Sequence, residues 1–210
     1  SSGVGQVERE KFSRELGTLT GDPEGGLLEL IVSSSLHELH PLRKITNVTD
    51  PDVPRALSSD GKVDVRWTDP AQFSDVRFSG NRREAVRGDW VTQLAIHFQQ
   101  SAARQLPDGH HLSVTITDIR RAGQYEPWHG PRMQDVRVVK DIYPPRLSFT
   151  YTLTGADGRV IDQGERQLVD SAFMMSGPRL TDSDPLRFEK AMIDNWVHTQ
   201  FRRGRKTAGV

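Results

Sequence analysis

The sequence predicts an α+β domain, with a mixed or mostly antiparallel sheet and two helices packed on one face. Three observations lead there. Apolar and polar residues alternate in Val63–Trp67, in Leu112–Thr117 and in Leu147–Leu153, which is the period of half-buried strands. Asp89–Leu106 and Pro185–Arg202 instead carry apolar stripes at helical spacing. Taken from residue 62, the segments run β-α-β-β-β-α, an order that suits one sheet covered by two helices.

Composition bounds the function before any motif does. A chain of 210 residues predicts one domain plus an appendage. No apolar run approaches the roughly 20 residues of a spanning helix, so no membrane span is expected. Formal net charge is zero, and no nucleic-acid partner is implied. Cysteine is absent, which excludes disulfides, thiol catalysis and zinc–thiolate sites. The zero charge hides an asymmetry: residues 1–60 hold 6 Lys and Arg against 10 Asp and Glu, and the remainder holds 22 against 18. A start at Ser1 rather than Met is expected of a processed chain, and no basic segment followed by an apolar one is visible.

In chain order, residues 1–60 read as an N-terminal extension and linker, largely irregular. A weak helix is expected at Val7–Leu16 and a short one at Leu27–Leu39. His37 and His40 lack a third ligand and the HExxH spacing, so no metal site is expected. Asn47–Asp60, rich in proline and aspartate and without periodicity, reads as the linker.

The domain is expected over residues 61–202. Val63, Val65 and Trp67 share one strand face, and Asp69 is next on it. Pro70 ends the strand, and AQFSDVRFSG reads as a loop carrying Phe73 and Asp75. Asp89 then caps a helix with Val91, Leu94, Phe98 and Ala102 on its stripe and His97 beside it as a satisfied histidine. Pro107-Asp108-Gly109 turns the chain into Leu112, Val114 and Ile116, and the row closes on Asp118, with Arg120 and Arg121 following.

Gln124–Met133 reads as an irregular surface loop with Tyr125, Trp128 and His129. Asp135–Ile142 reads as a strand, cut by Pro144-Pro145. Thr154–Gly158 is turn chemistry joining two strands into a hairpin, and Gly164 suggests a bulge or a close approach. Asp184-Pro185 opens the last helix. Its apolar arc of Leu186, Phe188, Met192, Ile193, Trp196, Val197 and Phe201 also contains Glu189. Residues 203–210 read as a basic, solvated tail.

Several motifs together resemble a family of uncharacterised proteobacterial proteins catalogued as domain of unknown function 3016. They are VDVRWTDPAQFSDVR, LPDGHHLSVTITDIRRAGQYEP, DVRVVKDIYPPRLSFTYTL, DGRVIDQGERQLVD and DPLRFEKAMIDNW, in register over residues of about 62–202. The resemblance implies an exported, periplasmic protein and supplies no activity.

The polar residues that stand out are Asp69, Asp75, Asp118, Arg120, Asp135, Arg137 and Glu189. GxSxG, P-loop, GxGxxG and HExxH signatures are all missing, so no cofactor is expected. The favoured reading is a non-catalytic module that binds a protein or cell-envelope component through Tyr125, Trp128, His129 and Arg120. In it, Asp69, Asp118, Arg137 and Glu189 are structural anchors, with Asp118 and Glu189 each paired to an arginine such as Arg137 or Arg120, or capping nearby backbone N–H groups. The alternative is a hydrolase-like enzyme using Asp118 with Asp135 or Glu189 as general acid and base.

Overall fold

The computed structural model describes residues 46–59, 61–176 and 183–207. Its strands are β1 (Val63–Trp67), β2 (His111–Arg120), β3 (Gln124–Tyr125), β4 (Arg137–Val138), β5 (Arg146–Thr154) and β6 (Val160–Val169). Its α-helices are α1 (Ser74–Arg77), α2 (Arg82–Val86), α3 (Trp90–Gln105), α4 (Phe173–Ser176) and α5 (Arg187–Thr207).

The α+β class holds. The main sheet has the order β1-β2-β5-β6. β1 and β2 are parallel, and they can be so because α3 provides the crossover between them. β2–β5 and β5–β6 are antiparallel. The alternation seen in the sequence becomes one buried row per strand: Val63, Val65 and Trp67, then Leu112, Val114 and Ile116, then Leu147, Phe149, Tyr151 and Leu153.

Side chains of α3 and α5 join these rows in one core, centred on an aromatic cluster. The Phe98 ring meets Phe149 edge-on at 5.2 Å, and Trp196 meets Phe149 edge-on at 4.8 Å and Tyr151 at 5.5 Å. Such edge contacts add about 0.5–1.5 kcal/mol each beyond the area they bury.

Five expectations are corrected. The segment 71–80, expected as a loop, is instead a 3-10 turn at Pro70–Gln72 followed by α1, and it buries Phe73, Val76 and Asp75. Asp135–Ile142 is not a sheet strand. Only Arg137–Val138 pair, with Gln124–Tyr125 in a separate ribbon, because Gly123, at φ +82°, turns the chain out of the main sheet and packs against Val138.

The described part of the expected linker packs against the domain. Val48 is buried, and β1 bonds to it through Leu57 N–H to Val65 O (2.9 Å) and Trp67 N–H to Arg55 O (2.9 Å). Gly164 lies opposite Tyr151 in unbroken register, so the bulge sits between Leu153 and Thr154 instead, while the expected close approach is there: a Cβ on Gly164 would lie 3.3 Å from Arg166 Nη1. The last helix continues past Arg202 to Thr207. The helices expected at 7–16 and 27–39 and the histidine pair lie outside the described residues.

Candidate functional site

Asp69, Asp118 and Glu189, the acids that fall on apolar rows in the sequence, each accept a backbone N–H. The ladder between β2 and β5 shifts register at Thr117, placing Ile119 on the buried row and leaving Asp118 half-buried. Asp118 instead receives the Ser74 N–H (2.5 Å) and hydroxyl (2.6 Å), satisfying the first turn of α1 from another strand. Asp69 leaves the sheet with the chain at Thr68, where its carboxylate accepts from Ala71 N–H (3.1 Å) and Arg55 (3.1 Å).

The residue that organises this end of the sheet is Asp75. Its Oδ2 accepts from Arg121 Nε (2.9 Å) and Nη2 (2.8 Å), and its Oδ1 accepts from the Arg121 backbone N–H (2.9 Å) and from Arg137. Both guanidinium groups are stacked: Arg121 over Trp90 at 4.2 Å and Arg137 over Tyr125 at 5.0 Å. Burial alone would push the Asp75 carboxyl up. Arg121 and Arg137 outweigh it and hold the group below the ordinary carboxylate range. Planar, bidentate recognition of this kind is specific to arginine.

Glu189 is 2 % exposed, as its place in the apolar arc predicts. Of the two structural readings, an arginine pair or a cap on a backbone N–H, the second is the one found. Oε1 accepts the Ala122 N–H at 2.6 Å, while Oε2 is buried without a hydrogen bond. Burial pushes this carboxyl up, against smaller opposing pulls from Ala122 N–H and the two arginines. Arg137 is taken by Asp75. Arg120 ends β2 opposite Arg146.

Next to the arginine clamp, the chain leaves β2 through Gly123 and forms the 124–143 segment. Gly123 has φ +82°, and a side chain there would come within 2.7 Å of Val138 O, so glycine is what lets the chain enter the β3–β4 pairing so close to Val138. Its N–H closes the segment by donating to Tyr143 O (3.0 Å).

Inside the loop, Glu126 is a second buried carboxylate. It accepts from Lys140 Nζ (2.9 and 2.8 Å), from the Tyr143 hydroxyl (2.9 Å) and pairs with His129 Nε2 (3.0 Å). The Lys140 contact outweighs burial and holds Glu126 below the ordinary carboxylate range. One carboxylate thus ties together three points of an otherwise irregular segment.

The 124–143 segment displays large apolar side chains: Trp128 and Ile142 are each 67 % exposed, and Met133 and Val136 are exposed as well. Phe78, on the segment bonded to Gln124, is exposed too. Gln124 Nε2 fixes the Phe78 carbonyl at 3.0 Å, and Asn81 Nδ2 bonds Gln134 O (3.0 Å) and Asp135 Oδ1 (2.8 Å). Of the binding residues expected, Trp128 is presented to solvent, and His129 is half exposed while bonded to Glu126. Tyr125 is buried beneath Arg137 and offers no surface. Arg121, Glu126, Lys140, Tyr143 and Ile142 carry no periodic signal in the sequence. A glutamate set between Tyr125 and Pro127 in a polar loop gives no hint of burial.

Three candidate catalytic acids have three separate sets of partners: Asp118 with Ser74, Asp135 with Asn81, Glu189 with Ala122. A shallow groove of about 410 Å³ lies instead between β6 and α5, lined by residues that include Gln167, Met192, Asn195 and Trp196. Among the described residues no group of three or more His, Asp or Glu is placed to hold a metal ion. No described helix is long and apolar enough to cross a membrane.

No curated protein and no solved structure matches this chain. A family model does, over residues 61–199, the span that holds the sheet, both carboxylate clamps and the exposed loop. The chain belongs to that family, described as "Protein of unknown function (DUF3016)".

Proposed function

We propose that this protein is a non-catalytic binding module, exported to the periplasm, that docks a protein or envelope component through its 124–143 segment. One observation carries the binding reading: Trp128 and Ile142 stand two-thirds exposed on a segment braced from below by buried Glu126. Holding large apolar side chains in water costs hydrophobic free energy, and fixing them in advance lowers the entropy lost when a partner covers them. Aromatic anchors of this type carry a large share of binding energy at protein interfaces. The export part rests on resemblance to exported proteins.

The test is photo-crosslinking from position 128 in cells of the native host, with fractionation of the product. A discrete adduct in the periplasmic fraction, lost on Ile142→Asp, is the expected result. No adduct from a folded protein, or an adduct indifferent to Ile142→Asp, defeats the docking reading. Recovery only from the cytoplasm defeats the export reading.

A further inference from the structure

We propose that the outer edge of β6 is a self-association surface, on which a second copy of this chain pairs its own β6 antiparallel about Gly164. The two edges of the sheet differ. Residues 55–57 bond to β1, whereas among the described residues no strand pairs with the outer edge of β6. An open edge is a template for strand addition, and proteins that avoid it use charged side chains (lysine above all), inward-pointing charges, proline or a bulge. β6 has no lysine or proline, and its bulge at Ile161 lies near the start of the strand, leaving the register with β5 unbroken from Asp162 to Val169. Its charges, Asp162, Glu165 and Arg166, are of both signs, so they block a second copy only where like charges are set opposite each other.

The occupant is indicated by the sequence of the edge itself, VIDQGERQLV. A two-fold axis at Gly164 sets Asp162 opposite Arg166 of the partner subunit and Gln163 opposite Glu165 of the partner subunit. Each pairing then occurs twice, as an isologous interface requires. Directly opposed residues in an antiparallel pair lie on one face, and opposite charges there are favourable.

Within one chain, Arg166 Nη2 donates to the Tyr151 hydroxyl (2.7 Å), and that hydroxyl and Gln200 Nε2 donate to Asp162 Oδ2 (2.8 and 2.7 Å), while neither charge has an ion-pair partner among the described residues. Gln163 and Glu165 are exposed, and on the axis Gly164 adds no side chain to the crossing. A strand edge buries modest area, so the dimer is expected to be concentration-dependent.

Sedimentation velocity of the full chain over a concentration series tests this. The wild type should shift from monomer to dimer as concentration rises. Gln163→Lys with Glu165→Lys sets lysine opposite lysine twice and should weaken dimerisation on the order of tenfold or more, with the melting temperature unchanged. Arg166→Asp should also weaken it, and Asp162→Arg added to Arg166→Asp should restore it. A wild type that stays monomeric throughout, a dimer untouched by the double lysine variant, or a charge swap that fails to restore pairing in a folded protein overturns the proposal.

Discussion

Asp75 and Arg121 form a three-point contact across two parts of the chain. The guanidinium donates twice to Oδ2, and the Arg121 backbone N–H donates to Oδ1 at 2.9 Å. Arg137 completes the arrangement from the far side of the exposed loop. One carboxylate therefore joins α1, the end of β2 and β4, tying the 124–143 segment, to which β4 belongs, back to the main sheet and to α1.

Asp75→Asn leaves two buried guanidinium groups facing a neutral amide. Removing one partner from a buried charge cluster costs about 3–5 kcal/mol. The expected result in urea denaturation is a loss of that size. A loss below about 1 kcal/mol, the scale of exposed ion pairs, would show that the cluster does not hold the domain together.

Asp75 and Glu189 give opposite pH dependences. The Asp75 carboxyl is held down when folded, so its contribution is present above the unfolded carboxyl pKa and is lost as pH falls through the folded value. The Glu189 carboxyl is pushed up when folded. Its unfavourable term is absent below the unfolded pKa and grows as pH rises through the folded value. Glu189→Gln keeps an acceptor for Ala122 N–H and removes the ionisation. The variant should gain stability over wild type as pH is raised from about 4 to about 8, on the carboxyl scale of ordinary peptides. A constant difference across that range would mean that Glu189 titrates no differently folded than unfolded.

Asp118→Ala tests the cap. Losing a side-chain acceptor at a helix N-terminus costs about 0.5–2 kcal/mol. Ser74→Ala removes only the hydroxyl and should cost less, since the Ser74 N–H still reaches the carboxylate at 2.5 Å. Thermal melts of both variants check the order. A larger loss from Ser74→Ala would put the hydroxyl, not the backbone, at the centre of the contact.

Much of the sheet was legible because alternation survives burial: Val63, Val65 and Trp67 or Leu147, Phe149 and Tyr151 read correctly from spacing alone. Asp118 misled for a physical reason. The ladder slips at Thr117, and a bulge has no fixed residue signature, so the acid looked as if it closed the core row. Glu189 showed the converse, since a helix without irregularity keeps its periodicity and the buried acid was visible. The clamps were not legible. Asp75 meets Arg121 and Arg137 at separations of 46 and 62 residues, and no local pattern encodes a contact formed only by the tertiary fold. The same holds for Lys140, which faces Glu126 where the sequence suggested a strand.

Glu126→Gln should loosen the exposed loop more than it weakens the domain. The substitution removes the charge that holds Lys140, Tyr143 and His129 together. Faster amide hydrogen exchange confined to residues 124–143 is expected, with β2 and β5 unchanged. In the wild type the same loosening should set in as pH falls through the lowered Glu126 value, because its contribution exists only while the carboxylate is ionised. Exchange that accelerates equally in the core strands would show that the clamp supports the whole domain.

Trp128→Ala separates recognition from folding. The indole is 67 % exposed, and its ring pair among the described residues is with His129, at a centroid distance of 6.0 Å. Truncating a surface side chain away from caps and clamps changes stability by about 0.5 kcal/mol or less. Phe149→Ala, in the middle of the aromatic cluster, should instead cost about 3–5 kcal/mol. If the loop is the docking surface, Trp128→Ala abolishes crosslinking from a reporter placed at position 142 while its melting curve overlays the wild type. Retained crosslinking would move the docking surface elsewhere. A large loss of stability would mean that the indole is packed and not displayed.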